Sequence, residues 1–242
     1  MNGIRWLQGW RQREVLLVLL LGVISVLLWR VPMLGLVWYP FHLLGTFIHE
    51  ICHGLAAMVS GGDFQRFVVR PDQSGTAWYA GGVGWFVTSA GYVGCAVVGG
   101  VLTILSARDV SARTVLFFLG LALGILCLIF VKNLFGMVAG LLLAGALLLA
   151  GNRLPERWAD GLLLFLAVQV MLNALNSLFD LVYLSTQRDD IITDAQLMQM
   201  MTGIPAPFWA LAWSLIALGI LAVSLTIAYR RIPAPLLHAA RQ

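Results

Sequence analysis

Charge is what this sequence has least of. Only 11% of its 242 residues are Asp, Glu, Lys or Arg, against about 25% in a soluble domain. Hydrophobic residues make up 60%, and the mean hydropathy is +0.90. An ordinary soluble domain is excluded, and an integral membrane protein with several spans is implied. The net charge of +4 is too small to point to nucleic acid and suits contact with anionic lipid headgroups. Cysteine is scarce as well. Cys52, Cys95 and Cys127 each sit in an apolar stretch without a CxxC spacing, and they read as small buried hydrophobes. A small-x-small cleavage site is missing after the basic start and first apolar run, which continues into "RVPMLGLVWYP". An uncleaved first span is therefore expected. No internal repeat is evident.

What is abundant is long apolar runs. A spanning helix needs about 20 apolar residues. Seven candidates lie near residues 14–32, 35–60, 82–107, 112–131, 134–151, 158–185 and 207–229. The fourth and fifth are close enough in sequence to form a tight helical hairpin. The fold class expected is an all-α multi-pass membrane protein of about seven helices. Residues 1–242 form one domain, with a core near 35–229. Lys and Arg, counted by alternate loops, divide seven against eight, so the positive-inside rule does not fix the orientation. One insert breaks the helical pattern. Residues 61–82, "GGDFQRFVVRPDQSGTAWYAGG", hold two β-prone runs around the turn-like "DQSG", with glycine pairs at both ends. A short β-hairpin is expected there, with Val68 and Val69 as an edge to which an extended peptide could add.

Just before this insert, "TFIHEICHGLAA" at residues 46–57 places His49, Glu50 and His53 inside an apolar segment. HExxH on a helix sets both imidazoles on one face, one turn apart. They can share one zinc ion while the glutamate acts on a bound water. Ionisable groups inside a membrane are expensive and functional by default. Glu50 is the only one of the three glutamates in the interior of an expected span. Catalytic zinc takes a third protein ligand. Asp180, in "NALNSLFDLVYL", is the acid firmly inside another apolar segment, with Asn176 one turn earlier on the same face. Spans two and six run in the same direction. His49 and His53 lie roughly 10–17 Å below the surface, and Asp180 roughly 7 Å, so the two polar stripes can converge. Asp194, in "ITDAQ", emerges on the same face and is the alternative ligand. Its other reading is part of a helix N-cap at Thr193 or Asp194. His42 is about 10 Å from His49, too far for the same ion, and reads as a packed histidine. Lys132 reads as a snorkelling lysine at a helix end. The small-residue run "GGVGWFVTSAGYVGCAVVGG" reads as a close helix-packing face.

"FIHEICHGLAAMVSGG", the β-prone insert, "SAGYVGCAVVGG" and "SLFDLVYL…TDAQLMQMMTGIPAPFWALAWS" together resemble the site-2 protease family of intramembrane zinc metalloproteases. The likeness is to its compact branch without PDZ domains, found chiefly in bacteria and plants. It covers most of residues 40–215. The resemblance implies Zn2+ at His49 and His53, Glu50 as general base, Asp180 as third ligand and Asn176 as a substrate-binding residue. It further implies a transmembrane protein substrate and, for a bacterial member, the cell inner membrane. "NSLFDLV" departs from the family signature in having no proline and no glycine after the aspartate. The leading expectation is an intramembrane zinc endopeptidase. The alternatives are a catalytically silent or regulatory protein that keeps the fold, and a metal-ion transporter. Glu50 favours the enzyme, because a scaffold has no use for it.

Overall fold

The computed structural model describes residues 12–29, 31–108, 110–187 and 192–230, with the side chains of Gln12, Pro32 and 176–187 outside that description. Eight α-helices and one β-hairpin are found there: α1 (Gln12–Trp29), α2 (Gly35–Val59), β1 (Asp63–Val69), β2 (Gly75–Ala80), α3 (Gly84–Ser106), α4 (Ala112–Phe130), α5 (Leu134–Arg153), α6 (Glu156–Gln187), α7 (Asp194–Thr202) and α8 (Ala206–Tyr229). Each expected span has its helix, with ends moved by at most a few residues. By length and composition, five of them can cross a membrane: α3, α4, α5, the Glu156–Leu175 part of α6, and α8. Helices α1 and α2 are not among these five. In α2, His42, His49, Glu50 and His53 lower the mean hydropathy.

Helix α2 lies at the centre. Leu43, Leu44, Phe47, Ile48, Glu50, Ile51, His53 and Ala57 are all buried, so nearly every face is covered by protein. Small residues on α3 allow that closeness. A Cβ on Gly94 would overlap Cys52, and one on Gly99 would overlap the main chain of Met171 on α6. Without a hydrophobic drive between helices in lipid, such close van der Waals contact supplies the association. Helix α3 runs antiparallel to α2, with Gly94 against Cys52 and Cys95 Sγ–H donating to the Gly45 carbonyl. Helix α6 runs parallel to α2, because Trp38 packs on Phe165 while Gly45 meets Asn173. The parallel course expected of spans two and six is therefore present. Helices α4 and α5 form the tight antiparallel pair, with Gly120 against Ala144 and Leu147, and Gly140 against Cys127. All three cysteines are free; Cys95 and Cys127 are buried and Cys52 half-buried.

The hairpin does not stand out as a surface loop. It folds back along α2. Gly62 N–H donates to the Ala57 carbonyl at its base, while near its tip Tyr39 and Thr46 hydroxyls donate to the carbonyls of Pro71 and Gln73, both at 2.8 Å. Tyr39 and Ala57 are 18 residues apart, about 27 Å of helix. A ring of Phe64 fills the space that Gly54 leaves on α2 and stacks on Phe130. The turn is held by Asp72, which accepts hydrogen bonds from both the Ser74 hydroxyl and N–H. Those bonds hold the Asp72 carboxyl below the usual carboxylate range.

Irregular backbone at membrane depth survives only where protein or a water-filled cavity satisfies it. On β1 the satisfying groups come from the α4–α5 connection. Lys132 N–H donates to the Phe67 carbonyl at 3.1 Å. The Asn133 carboxamide then behaves as a surrogate peptide unit: its Nδ2–H donates to the Val69 carbonyl at 2.7 Å, and its Oδ1 accepts from the Val69 N–H at 3.3 Å. Asn133 precedes α5 at the N-cap position yet makes no capping bond, because its side chain is spent on β1. Lys132 itself is exposed and donates from Nζ to the Ile129 carbonyl.

This corrects the expectation for Val68 and Val69. Val68 pairs inward with Thr76, and Val69 is fully buried with its outward groups already bonded to Asn133. Neither offers an open edge. The uncovered edge among the described residues belongs to β2. Replacing Asn133 with Ala strips two main-chain groups of their partner, which is expected to cost about 1–3 kcal/mol. A thermal unfolding midpoint in detergent equal to that of the wild type would contradict this account.

Candidate metal centre

His49 and His53 face α3 and α7 from the second half of α2, and Glu50 between them faces β2. His53 Nδ1–H donates to the Val87 carbonyl at 2.7 Å, which leaves the lone pair on Nε2. That Nε2 lies 3.0 Å from His49 Nε2. The third member is Asp194. Its Oδ2 is 3.0 Å from His49 Nε2 and 3.2 Å from His53 Nε2. Among the described residues, these three are the cluster of His, Cys, Asp or Glu able to hold a metal ion.

The donor set fits a metal. Two imidazole nitrogens and a carboxylate oxygen are electron-pair donors, and packing them together calls for a cation. Their separations match as well. Ligands about 2.0–2.1 Å from a tetrahedral zinc lie about 3.3 Å apart, close to the observed 3.0, 3.0 and 3.2 Å. Three protein donors leave one tetrahedral position open, as catalytic zinc sites do. Gly91 of α3 makes the room. A Cβ there would overlap His49 Cε1 and the Nε2 atoms of both histidines.

Asp194 reaches the pair because of how α7 begins and ends. Thr193 is the N-cap, its hydroxyl accepting from Gln196 N–H while the Gln196 side chain accepts from Thr193 N–H. This reciprocal capping box satisfies the helix start and leaves the Asp194 carboxylate for the imidazoles. At the other end, Gly203 closes α7 in the left-handed conformation at φ 75°. Gln199 Oε1 then accepts from Ala206 N–H, and Thr202 Oγ1 accepts from the indole N–H of Trp209. Ala195 and Met198 are buried with Trp213 and pack on Tyr92 and Val93 of α3. The segment after α6 therefore returns to the site instead of remaining a loop.

Glu50 is buried, with 5% of its surface exposed. Its carboxylate fills the space beside Gly75, the first residue of β2, where a Cβ would overlap Oε1. The hairpin thus packs on the catalytic candidate directly. Asn176 and Asp180 lie on the α6 backbone, and their side chains fall outside the described residues. His42 is partly buried against the Trp29 ring, 4.6 Å between centroids, as a packed histidine. Sequence reasoning gave Gly75, Val87 and Gly91 no part in the site. The signal available for Gly91 was its place in the "SAGYVG" packing run; Val87 acts through a carbonyl that every residue possesses.

Five helices apolar and long enough to span, together with a two-histidine, one-carboxylate cluster and a buried glutamate, point to an integral membrane protein with a candidate metallopeptidase centre. A family model described as Peptidase M50B-like matches residues 15–224, and the chain belongs to that family of metallopeptidases. No curated protein and no solved structure gives a match.

Gly91→Ala is expected to push the imidazoles apart and sharply lower the metal content of purified protein. Gly145→Ala, where nothing lies within 4 Å, is the control and should leave it unchanged. Equal metal in both variants would remove Gly91 from the site.

Proposed function

We propose that this protein is an intramembrane zinc endopeptidase that hydrolyses peptide bonds of membrane-embedded or membrane-proximal proteins. The carrying observation is the convergence of His49, His53 and Asp194 within 3.2 Å, beside a buried Glu50. In this reading α1 and α2 cross the bilayer with the other five helices, making seven spans, and α7 is a re-entrant segment. The three ligands are His49, His53 and Asp194, with Asp194 replacing the carboxylate that sequence reasoning put first, Asp180.

Zinc held by these groups supplies Lewis acidity that brings the pKa of water toward neutrality. Glu50 is the base that accepts the proton from the attacking water and returns it to the leaving amine. Its burial and the wall made by Gly75 keep bulk water from competing for that proton. His53 is fixed by Val87, so its ring does not swing when substrate arrives.

The open edge of β2 is the substrate guide. Thr76 and Trp78 pair inward with Val68 and Arg66, so the main-chain groups of Ala77 and Tyr79 point outward. An exposed edge at membrane depth needs a hydrated cavity or a partner strand. An extended peptide laid along β2 satisfies it and passes Gly75 toward Glu50. A helical substrate must unwind before it can pair there. Asn176 of α6 is retained as a candidate substrate contact.

Glu50→Gln is expected to keep zinc at wild-type stoichiometry and to lose hydrolysis of a single-span model substrate by a factor of about 100 to 10,000. Full turnover by that variant would rule out Glu50 as the base. Metal analysis then separates the two carboxylates. Asp194→Ala should lose zinc and Asp180→Ala should retain it; the reverse pattern would return the third ligand to α6.

A further inference from the structure

The two histidines are not held in the same way. His53 has its Nδ1 fixed by the Val87 carbonyl. His49 Nδ1 has no hydrogen-bond partner among the described residues. A metal-ligating histidine is ordinarily oriented through its second nitrogen; for His49 the support the described residues supply is a ring contact.

The candidate in contact with it is Tyr92, which follows Gly91 on α3. Its ring meets the His49 imidazole edge to face, with centroids 4.6 Å apart and planes at 79°. The other side of Tyr92 stacks on Trp213 of α8, at 5.5 Å and 24°. Trp213 is itself immobilised: it is 2% exposed and sits in the cluster with Ala195 and Met198 of α7. Beyond it, Trp209 is tied by its indole N–H to Thr202 at the end of α7. An aromatic file runs from the α7–α8 corner through Trp213 and Tyr92 to His49. The same file packs on the helix that delivers Asp194.

We infer that Tyr92 is a positioning residue, a ring wedge that holds His49 in its ligand orientation and couples it to the seating of α7. This rests on the metal reading given above. The wedge acts through ring shape: edge-to-face geometry is favoured by the quadrupole of the aromatic face, and neither partner need exchange a proton. Swinging His49 away from the site requires Tyr92 to move, and Trp213 blocks that movement. Seating of α7 and orientation of His49 are thereby one event, in which two of the three donors arrive together.

The test is zinc affinity, measured by chelator competition on the purified full chain, together with the visible absorption of the cobalt-substituted protein. Tyr92→Phe keeps the ring and is expected to bind within about twofold of wild type with the same cobalt spectrum. Tyr92→Leu removes it and is expected to weaken zinc binding by about 10- to 100-fold, the range seen when a supporting partner of a metal ligand is lost, with an altered cobalt spectrum. Wild-type affinity in Tyr92→Leu would overturn the wedge. So would a Tyr92→Phe variant that loses affinity, because the hydroxyl and not the ring would then matter; this arm holds even if the leucine variant does not fold. A wild-type chain that binds no zinc would instead overturn the metal reading on which the inference rests.

Discussion

Three electron-pair donors meet within hydrogen-bond distance at the heart of this bundle, and they can meet only because Gly91 puts no side chain between them. Two imidazoles and a carboxylate so arranged are costly in an apolar surround unless a cation joins them. The rest of the structure serves that approach. Helix α2 is covered on nearly every face, α3 supplies small residues where α2 must come close, and α7 turns back to deliver the third donor. Binding free energy from the ion would offset the cost of burying the site, coupling metal affinity to the packing of three helices that are distant in sequence.

The same accounting applies to the main chain. A hairpin laid along α2 brings two strand edges into the bundle, and each edge carries N–H and C=O groups that lipid cannot satisfy. One edge is closed by Lys132 and by the side chain of Asn133 standing in for a strand. The other is left open beside Glu50. An asymmetry of this kind is costly to keep without use, which is why the open edge reads as the place for a substrate strand. Closing β1 also fixes the hairpin, so that Gly75 lies against the Glu50 carboxylate.

The helices were legible in the sequence because their cause is local. A membrane span is set by apolar length, and its ends by glycine, proline and charge in the neighbouring few residues. Each expected segment therefore has its helix, and the hairpin falls between the glycine pairs at Gly61–Gly62 and Gly81–Gly82. His49 and His53 were legible for the same reason, since a spacing of four on a helix fixes their common face. Their supports were not. Val87 contributes a carbonyl, Gly91 contributes the lack of a Cβ, and Tyr92 contributes a ring whose orientation depends on Trp213, far away in the chain.

By itself, then, the sequence determined the membrane class, the element order, the histidine pair and the parallel course of α2 and α6. Tertiary structure brought the Asp194 carboxylate to the imidazoles and decided which strand edge stays open. Depth along a helix can be counted from sequence, and the count favoured Asp180. An N-cap at Thr193 was legible, because its partner Gln196 is three residues on; what the sequence could not show is that Met198 and Trp213 draw α7 back against α3, because that packing joins residues distant in the chain. The edge of β1 was hidden likewise: nothing near Val69 in sequence announces that Asn133, 64 residues on, will take its hydrogen bonds.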